Sequence, residues 1–133
     1  MPAKKDPRLA RLISDLIEMA SECRESDWDG YGAEPVDEQA LELAQEIIYS
    51  LPDGVALPEC SIEPDGGVSL DWMPSQSRTL TLSTNASGRI PYAWVDGTDR
   101  GHAVGRFQDG MLSARILEEI QRFSSHGTTF WAA

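Results

Sequence analysis

The feature that most constrains the fold is a change in hydrophobic periodicity along the chain. Up to about residue 51 the apolar residues recur every three or four positions, which is typical of helices that bury one side. After Pro58 they alternate with polar residues, which is typical of strands with one buried face, and helical spacing returns near the C-terminus. This order predicts an α+β fold in which two N-terminal helices and a C-terminal helix pack on one face of an antiparallel sheet.

Three stretches have helical spacing. The first covers residues 7–25, with Pro7 suited to its first turn. The second runs from about Asp37 to Ser50, and Asp37 is the predicted N-cap. The third is predicted to begin with Asp109 as its N-cap. Its apolar stripe consists of Leu112, Ile116, Ile120 and Phe123.

The central region predicts a meander of four to five antiparallel strands. Alternating apolar residues mark three of them: Val68, Leu70 and Trp72; Leu80 and Leu82; Ile90, Tyr92 and Trp94. Turn-forming residues at 64–67, 73–77, 85–88 and 96–99 separate the runs, with 61–62 and 102–107 as the outer strands. Pro91 has no N–H to donate, so we expect it where its strand edge is unpaired or bulged.

The length and composition favour one cytoplasmic domain. A chain of 133 residues fits a single domain, 1–133, with residues 1–6 and 125–133 as flexible tails. The two cysteines fall in different settings and are expected to stay reduced. The chain has no apolar run near the ~20 residues that span a bilayer, and its N-terminus lacks the apolar core of a signal peptide.

The net charge of −11 is concentrated in one segment. Residues 25–72 contain thirteen acidic residues and no Lys or Arg. A surface of this charge repels phosphate, which disfavours direct binding to nucleic acid or to an anionic membrane and favours a basic protein surface as partner. The alternative is that these acids only keep turns and an exposed helix face soluble.

The stretch DWDGYGAEP, residues 27–35, can be compared with a calcium-binding loop. Counted from Asp27, a twelve-residue loop would place Asp29 third, Gly32 sixth and Glu38 last, as such a loop requires. Tyr31, however, stands at the fifth position, where a carboxylate or amide oxygen is needed, and a proline and the predicted helix cap interrupt the loop. The pattern therefore disfavours a metal site, and no cofactor is predicted.

Two other interpretations of this stretch remain open. In the structural one, Gly30 and Gly32 supply unusual backbone angles, while Trp28 or Tyr31 closes the apolar seam between the helices and the sheet. In the second, the loop also contacts a partner, because an aromatic ring framed by carboxylates suits a surface that carries Arg or Lys.

Catalytic patterns are few. The two histidines are His102, in or beside the last strand, and His126, in the tail. A Cys60–His102 pair is conceivable, but no spacing supports it. The sequence also has no zinc-type cluster and no phosphate-binding glycine loop, so it favours a non-enzymatic protein.

Two motifs carry a resemblance to known proteins. The segment W-D-G-x-G-A-x-P, residues 28–35, is followed by P-D-G-G-V-x-L-x-W, residues 64–72. In this combination, which spans roughly residues 25–95, the chain resembles a loosely defined group of small acidic bacterial proteins of unknown function. The resemblance implies a bacterial or phage setting and assigns no residue a role.

The leading hypothesis is a non-enzymatic acidic domain that covers a basic surface of another protein, as an inhibitor, antitoxin, immunity or anti-defence factor. One alternative is a small homodimeric chaperone of the secretion type. The other is a small enzyme or metal-binding module that uses the 27–38 loop. The residues expected to contact a partner are Asp27, Trp28, Asp29, Tyr31, Glu34, Glu38, Glu42 and Glu46.

Overall fold

The computed structural model describes residues 7–124, so both predicted tails lie outside the described residues. Within this range the fold is mixed α+β, with three helices and one antiparallel sheet of six strands. The elements in chain order are α1 (Pro7–Ser21), α2 (Glu38–Ser50), β1 (Glu59–Ile62), β2 (Val68–Ser75), β3 (Arg78–Thr84), β4 (Arg89–Asp96), β5 (Asp99–Gln108), β6 (Met111–Leu112) and α3 (Ala114–Ser124). Among the described residues, none of the three helices combines the length and the hydrophobicity that a membrane span requires.

Helix α1 is shorter than its sequence pattern predicts. It ends at Ser21 rather than at residue 25, although the apolar spacing continues to Cys23, which is buried. The N–H of Cys23 donates to the carbonyl of Ala20 (2.9 Å), three residues back, so the chain tightens and leaves the helix at this point. The stripe of buried side chains thus extends past the end of the helix.

Helix α2 begins where the sequence predicts. The side chain of Asp37 accepts hydrogen bonds from the backbone N–H groups of Gln39 (2.9 Å) and Ala40 (3.0 Å), which confirms it as the N-cap. The buried hydroxyl of Thr84 donates to the carbonyl of Ala40 (2.9 Å) and ties the start of α2 to β3.

The sheet has six strands in sequence order, one more than the upper predicted number. The additional strand is β6, which pairs Met111 with Gln108 and Leu112 with Phe107. Two residues are too few to show a period of two, so the strand leaves no pattern in the sequence. Pro91 lies in the interior strand β4 and is paired with Val104 of β5. The β3–β4 register ends at Tyr92, one residue short of it, so the side of Pro91 that faces β3 is unpaired, as expected.

The predicted start of the C-terminal helix is wrong. Asp109 and Gly110 both have positive φ (55° and 76°) and form the turn between β5 and β6, and α3 begins only at Ala114. Positive φ at both central residues of a two-residue hairpin defines the turn that Asp-Gly favours. This turn therefore takes the place of the helix cap that Asp109 would otherwise provide, and Leu112 lies in β6.

The core lies between the helices and the inward side chains of the strands. In β3 buried Leu80, Leu82 and Thr84 alternate with partly exposed residues, which is the pattern of a sheet that is covered on one side. Both α2 and α3 contact β2 and β3. The largest fully buried apolar side chains are Leu16, Ile47, Ile48, Val68, Leu70, Leu80, Leu82, Ile90, Ile116, Ile120 and Phe123.

Candidate protein-binding site

The loop between α1 and α2 is held in shape by its own carboxylates. One oxygen of Asp27, Oδ1, accepts from the N–H of Gly32 (2.6 Å). Oδ1 of Asp29 accepts from the N–H groups of Tyr31 (2.8 Å) and Ala33 (3.1 Å). The N–H of Asp27 donates to the carbonyl of Ala33 (2.6 Å) and closes the loop. These bonds fix the loop backbone without help from a ligand.

The same hydrogen bonds involve the carboxylates that the calcium interpretation would use as ligands. A calcium loop would use the carboxylate oxygens of Asp27 and Asp29 as ligands. Here one oxygen of each carboxylate accepts backbone N–H groups of the loop. Within residues 7–124 no group of three or more His, Cys, Asp or Glu side chains is placed to hold a metal ion.

The two aromatic residues of the loop have opposite environments. Trp28 is half-buried against the core, and its indole Nε1–H donates to the carbonyl of Glu34 (2.6 Å). Tyr31 is 93% exposed. Trp28 therefore closes the seam between loop and core, while the ring of Tyr31 extends into solvent between Gly30 and Gly32, both of which have positive φ.

The two sequence motifs meet in space. The N–H of Glu34, in the first motif, donates to the carbonyl of Pro64, in the second (2.7 Å). The N–H of Val36 donates to the carbonyl of Cys23 (2.7 Å), so the segment before α2 is also anchored to the end of α1. The loop thus lies against both the β1–β2 turn and α1.

The predicted contact residues differ in exposure. Trp28 and Asp29 are half-buried, and the other six are exposed: Asp27, Tyr31, Glu34, Glu38, Glu42 and Glu46. The three glutamates of α2 follow at four-residue steps and therefore share one side of the helix. Glu38 forms an ion pair with Arg24, which precedes the acidic segment by one residue and which the sequence did not assign to the site.

The β1–β2 turn adds carboxylates that are not among the contact residues predicted from the sequence. Asp65 is exposed, and Glu63 is half-buried. Burial is the main cause that raises the pKa of Glu63, and the charges of Asp65 and Asp71 raise it further. The signal that could have linked this turn to the loop is the pairing of the two motifs. We use the term acidic surface for the exposed carboxylates of Asp27, Glu34, Glu38, Glu42, Glu46 and Asp65.

The Cys60–His102 pair that the sequence left open is not formed. Cys60 lies in β1 and His102 in β5, with three strands between them. Burial raises the pKa of the Cys60 thiol to about 12, with a further contribution from Asp71, so this thiol stays protonated at neutral pH. Burial and Glu22 also raise the pKa of Cys23. Neither thiol has the lowered pKa of a nucleophile.

Comparison of the chain with protein-family models, with curated proteins and with solved structures finds no significant match in any of the three. The geometry of the site and its charge are therefore the observations from which a function is inferred.

Proposed function

We propose that this protein is a non-enzymatic acidic domain that binds a basic surface of another protein and acts as an inhibitor, antitoxin, immunity or anti-defence factor. The observation that carries the proposal is the braced loop that holds Tyr31, 93% exposed, among carboxylates. The contact consists of this ring and the acidic surface around it.

The loop has the properties of a preorganised binding element. Its backbone bonds to Asp27 and Asp29 are already made in the free protein, so little conformational entropy is lost when a partner binds. Tyrosine is enriched among the residues that dominate binding energy, because its ring supplies apolar area and its hydroxyl a polar group. The fold does not bury the ring of Tyr31, which leaves that area available to a partner.

The negative charge of the acidic surface favours one class of partner, a basic protein. Carboxylates pair with Arg side chains in two-pronged hydrogen bonds, whereas they repel phosphate groups. The field of the thirteen acids between residues 25 and 72, of which Glu38 is paired with Arg24, also accelerates the approach of a basic protein at low salt. We therefore favour binding to a basic protein over direct binding to nucleic acid or to a membrane.

The test is affinity capture of the tagged full chain at low and high salt, with two charge variants compared side by side. In the first, Glu42→Lys and Glu46→Lys reverse two exposed charges of the acidic surface. The control, Asp99→Lys with Glu118→Lys, changes the net charge equally at exposed positions on β5 and α3. Both variants must retain the unfolding profile of the original protein.

The proposal expects one basic protein that is retained at low salt, weakened at high salt, lost from the Glu42/Glu46 variant and retained by the control. With the purified partner, reversal should slow association at least severalfold at low salt. Equal retention by both variants, or association at an unchanged rate, would contradict a contact through the acidic surface.

A further inference from the structure

A second surface, on α1, is not used by the proposed function. A shallow groove of ≈ 610 Å³ runs along this helix, lined by the small residues Ala10, Ser14 and Ser21 and by the larger Ile13, Ile17 and Glu18. Tyr49 of α2 borders it. Ile17 is 44% exposed and Tyr49 51% exposed, so apolar area faces solvent here between small residues that allow close approach of another backbone.

The charges along α1 run against its own helix dipole. Arg11 lies in the N-terminal half, Glu18 lies in the C-terminal half, and Glu22 follows the last residue of the helix. The first turn has no acidic residue and the last turn no basic one. Cations near the start of a helix and anions near its end destabilise it, because each meets the like end of the dipole. Glu18 and Glu22 therefore disfavour the isolated helix, while Arg11, beyond the first turn, gains nothing from the dipole.

The order does suit an antiparallel neighbour of the same sequence. Arg11 and Glu18 are seven residues apart, two helical turns, and so lie on the same side of α1 next to the groove. Neither forms an ion pair with another residue of the described range. When a second copy runs in the opposite direction, its Glu18 comes opposite Arg11, and a two-fold axis repeats the pair.

We propose that two copies of this chain associate through α1 as an antiparallel, two-fold symmetric helix pair centred near Ser14. Ile17 of each copy packs against the small residues of the other, and Tyr49 borders the contact. Arg11 and Glu18 form two identical ion pairs that fix the antiparallel direction. The proposal is independent of the function of the acidic surface.

The charge balance of α1 favours a second copy of this chain, rather than a basic protein, as the partner that occupies this groove. Helix α1 carries two arginines, Arg8 and Arg11, and two acids, Asp15 and Glu18, which gives 2 − 2 = 0, whereas residues 25–72 carry thirteen acids and no base. A neutral helix with opposite charges in its two halves is complementary to itself. A strongly basic helix in the groove would offer Arg11 no carboxylate to pair with. One consequence is that a dimer presents two acidic surfaces, which allows bivalent binding.

The test uses sedimentation equilibrium of the full chain from micromolar to millimolar concentration, with the variants Arg11→Glu and Glu18→Arg. Each variant alone places like charges opposite each other at two symmetric positions, and we expect a dimer that is roughly 10- to 30-fold weaker. A mixture of the two variants places Glu opposite Arg at both positions. The mixture should therefore form a heterodimer with affinity near that of the original homodimer.

Controls separate this interface from any other contact. Arg100→Glu, on exposed β5, changes the charge as much as Arg11→Glu and should leave the dimer intact. Ile17→Asp should abolish the dimer while the far-ultraviolet spectrum stays unchanged, because Ile17 lies outside the buried face of α1. A monomer at millimolar concentration would overturn the proposal. A dimer that persists in Ile17→Asp, or single variants that do not recover on mixing, would do so as well.

Discussion

The backbone N–H of Asp37 donates a hydrogen bond to the carbonyl of Gly66, with a distance of 2.8 Å. Asp37 is the N-cap of α2, and Gly66 lies in the turn between β1 and β2. A second bond, from Glu34 to Pro64, runs beside it. The start of α2 and the braced loop are therefore positioned by a turn that lies about thirty residues further along the chain.

Gly66→Ala should destabilise the protein by about 3 kcal/mol, since an alanine there meets two obstacles. Gly66 has φ of +92°, and an added Cβ would lie 2.8 Å from the carbonyl oxygen of Pro35. Gly88 is the matched control, because it has φ of +83° with nothing within 4 Å of the added Cβ. Gly88→Ala should cost about 1 kcal/mol. Urea unfolding measures both, and equal losses would show that the contact with Pro35 is not tight.

Trp28→Phe should cost about 1–2 kcal/mol, because it keeps an aromatic ring but removes the hydrogen bond from Nε1 to Glu34. Trp94 provides the comparison. Its Nε1 is buried and has no hydrogen-bond partner among the described residues, so Trp94→Phe loses ring area but no hydrogen bond. Thermal unfolding of the two variants should show the larger loss for Trp28→Phe. The reverse order would mean that the Glu34 bond contributes little.

The local parts of this fold could be predicted from the sequence, and the non-local parts could not. The cap at Asp37 depends only on residues two and three positions ahead, so the sequence identifies it. At Asp109 two local signals compete, a helix cap and an Asp-Gly hairpin. The hairpin forms because β6 pairs with the end of β5, a contact that periodicity does not reveal.

The candidate site also has features that the sequence predicts and features that require the fold. Its charge and its aromatic residues are visible in the sequence, but which ring is buried depends on the path of the backbone. Positive φ at Asp27, Gly30 and Gly32 turns Trp28 toward the core and Tyr31 toward solvent. The ion pair of Glu38 with Arg24 likewise requires the fold, since the two residues are 14 positions apart.

The stability of the protein should fall as the pH rises above about 8.5, the region where an unperturbed thiol ionises. Burial raises the pKa of folded Cys60 to about 12, so between these values the unfolded chain loses a proton that the folded one keeps. Cys60→Ala removes this thiol, so the free energy of unfolding of the variant should fall less steeply with pH, whatever its value at pH 7. Urea unfolding with a reductant present, at intervals from pH 7 to pH 10, gives the slope. An unchanged slope in the variant would contradict the raised pKa.

Arg78→Met should destabilise the protein by about 1–3 kcal/mol. The half-buried guanidinium donates to Asp96 (3.1 Å) and to the carbonyl of Arg122 (2.9 Å), and it lies over the ring of Phe123. It thereby links β3 and β4 to the end of α3. Arg89→Met is the control: Arg89 is exposed and lies opposite Arg106 on β5, so its loss should change stability by less than about 0.5 kcal/mol. Similar losses in the two variants would count against this role of Arg78.

Tyr31→Ala should leave the free energy of unfolding within about 0.5 kcal/mol of the original, because a ring that is 93% exposed contributes almost no burial. The loop should keep its shape, since its bonds come from backbone groups and from the carboxylates of Asp27 and Asp29. Tyr92→Ala, in the core, loses the same atoms and should cost about 3 kcal/mol. Urea unfolding compares the two. A large loss for Tyr31→Ala would mean that the fold needs the ring and that the ring is not available to a partner.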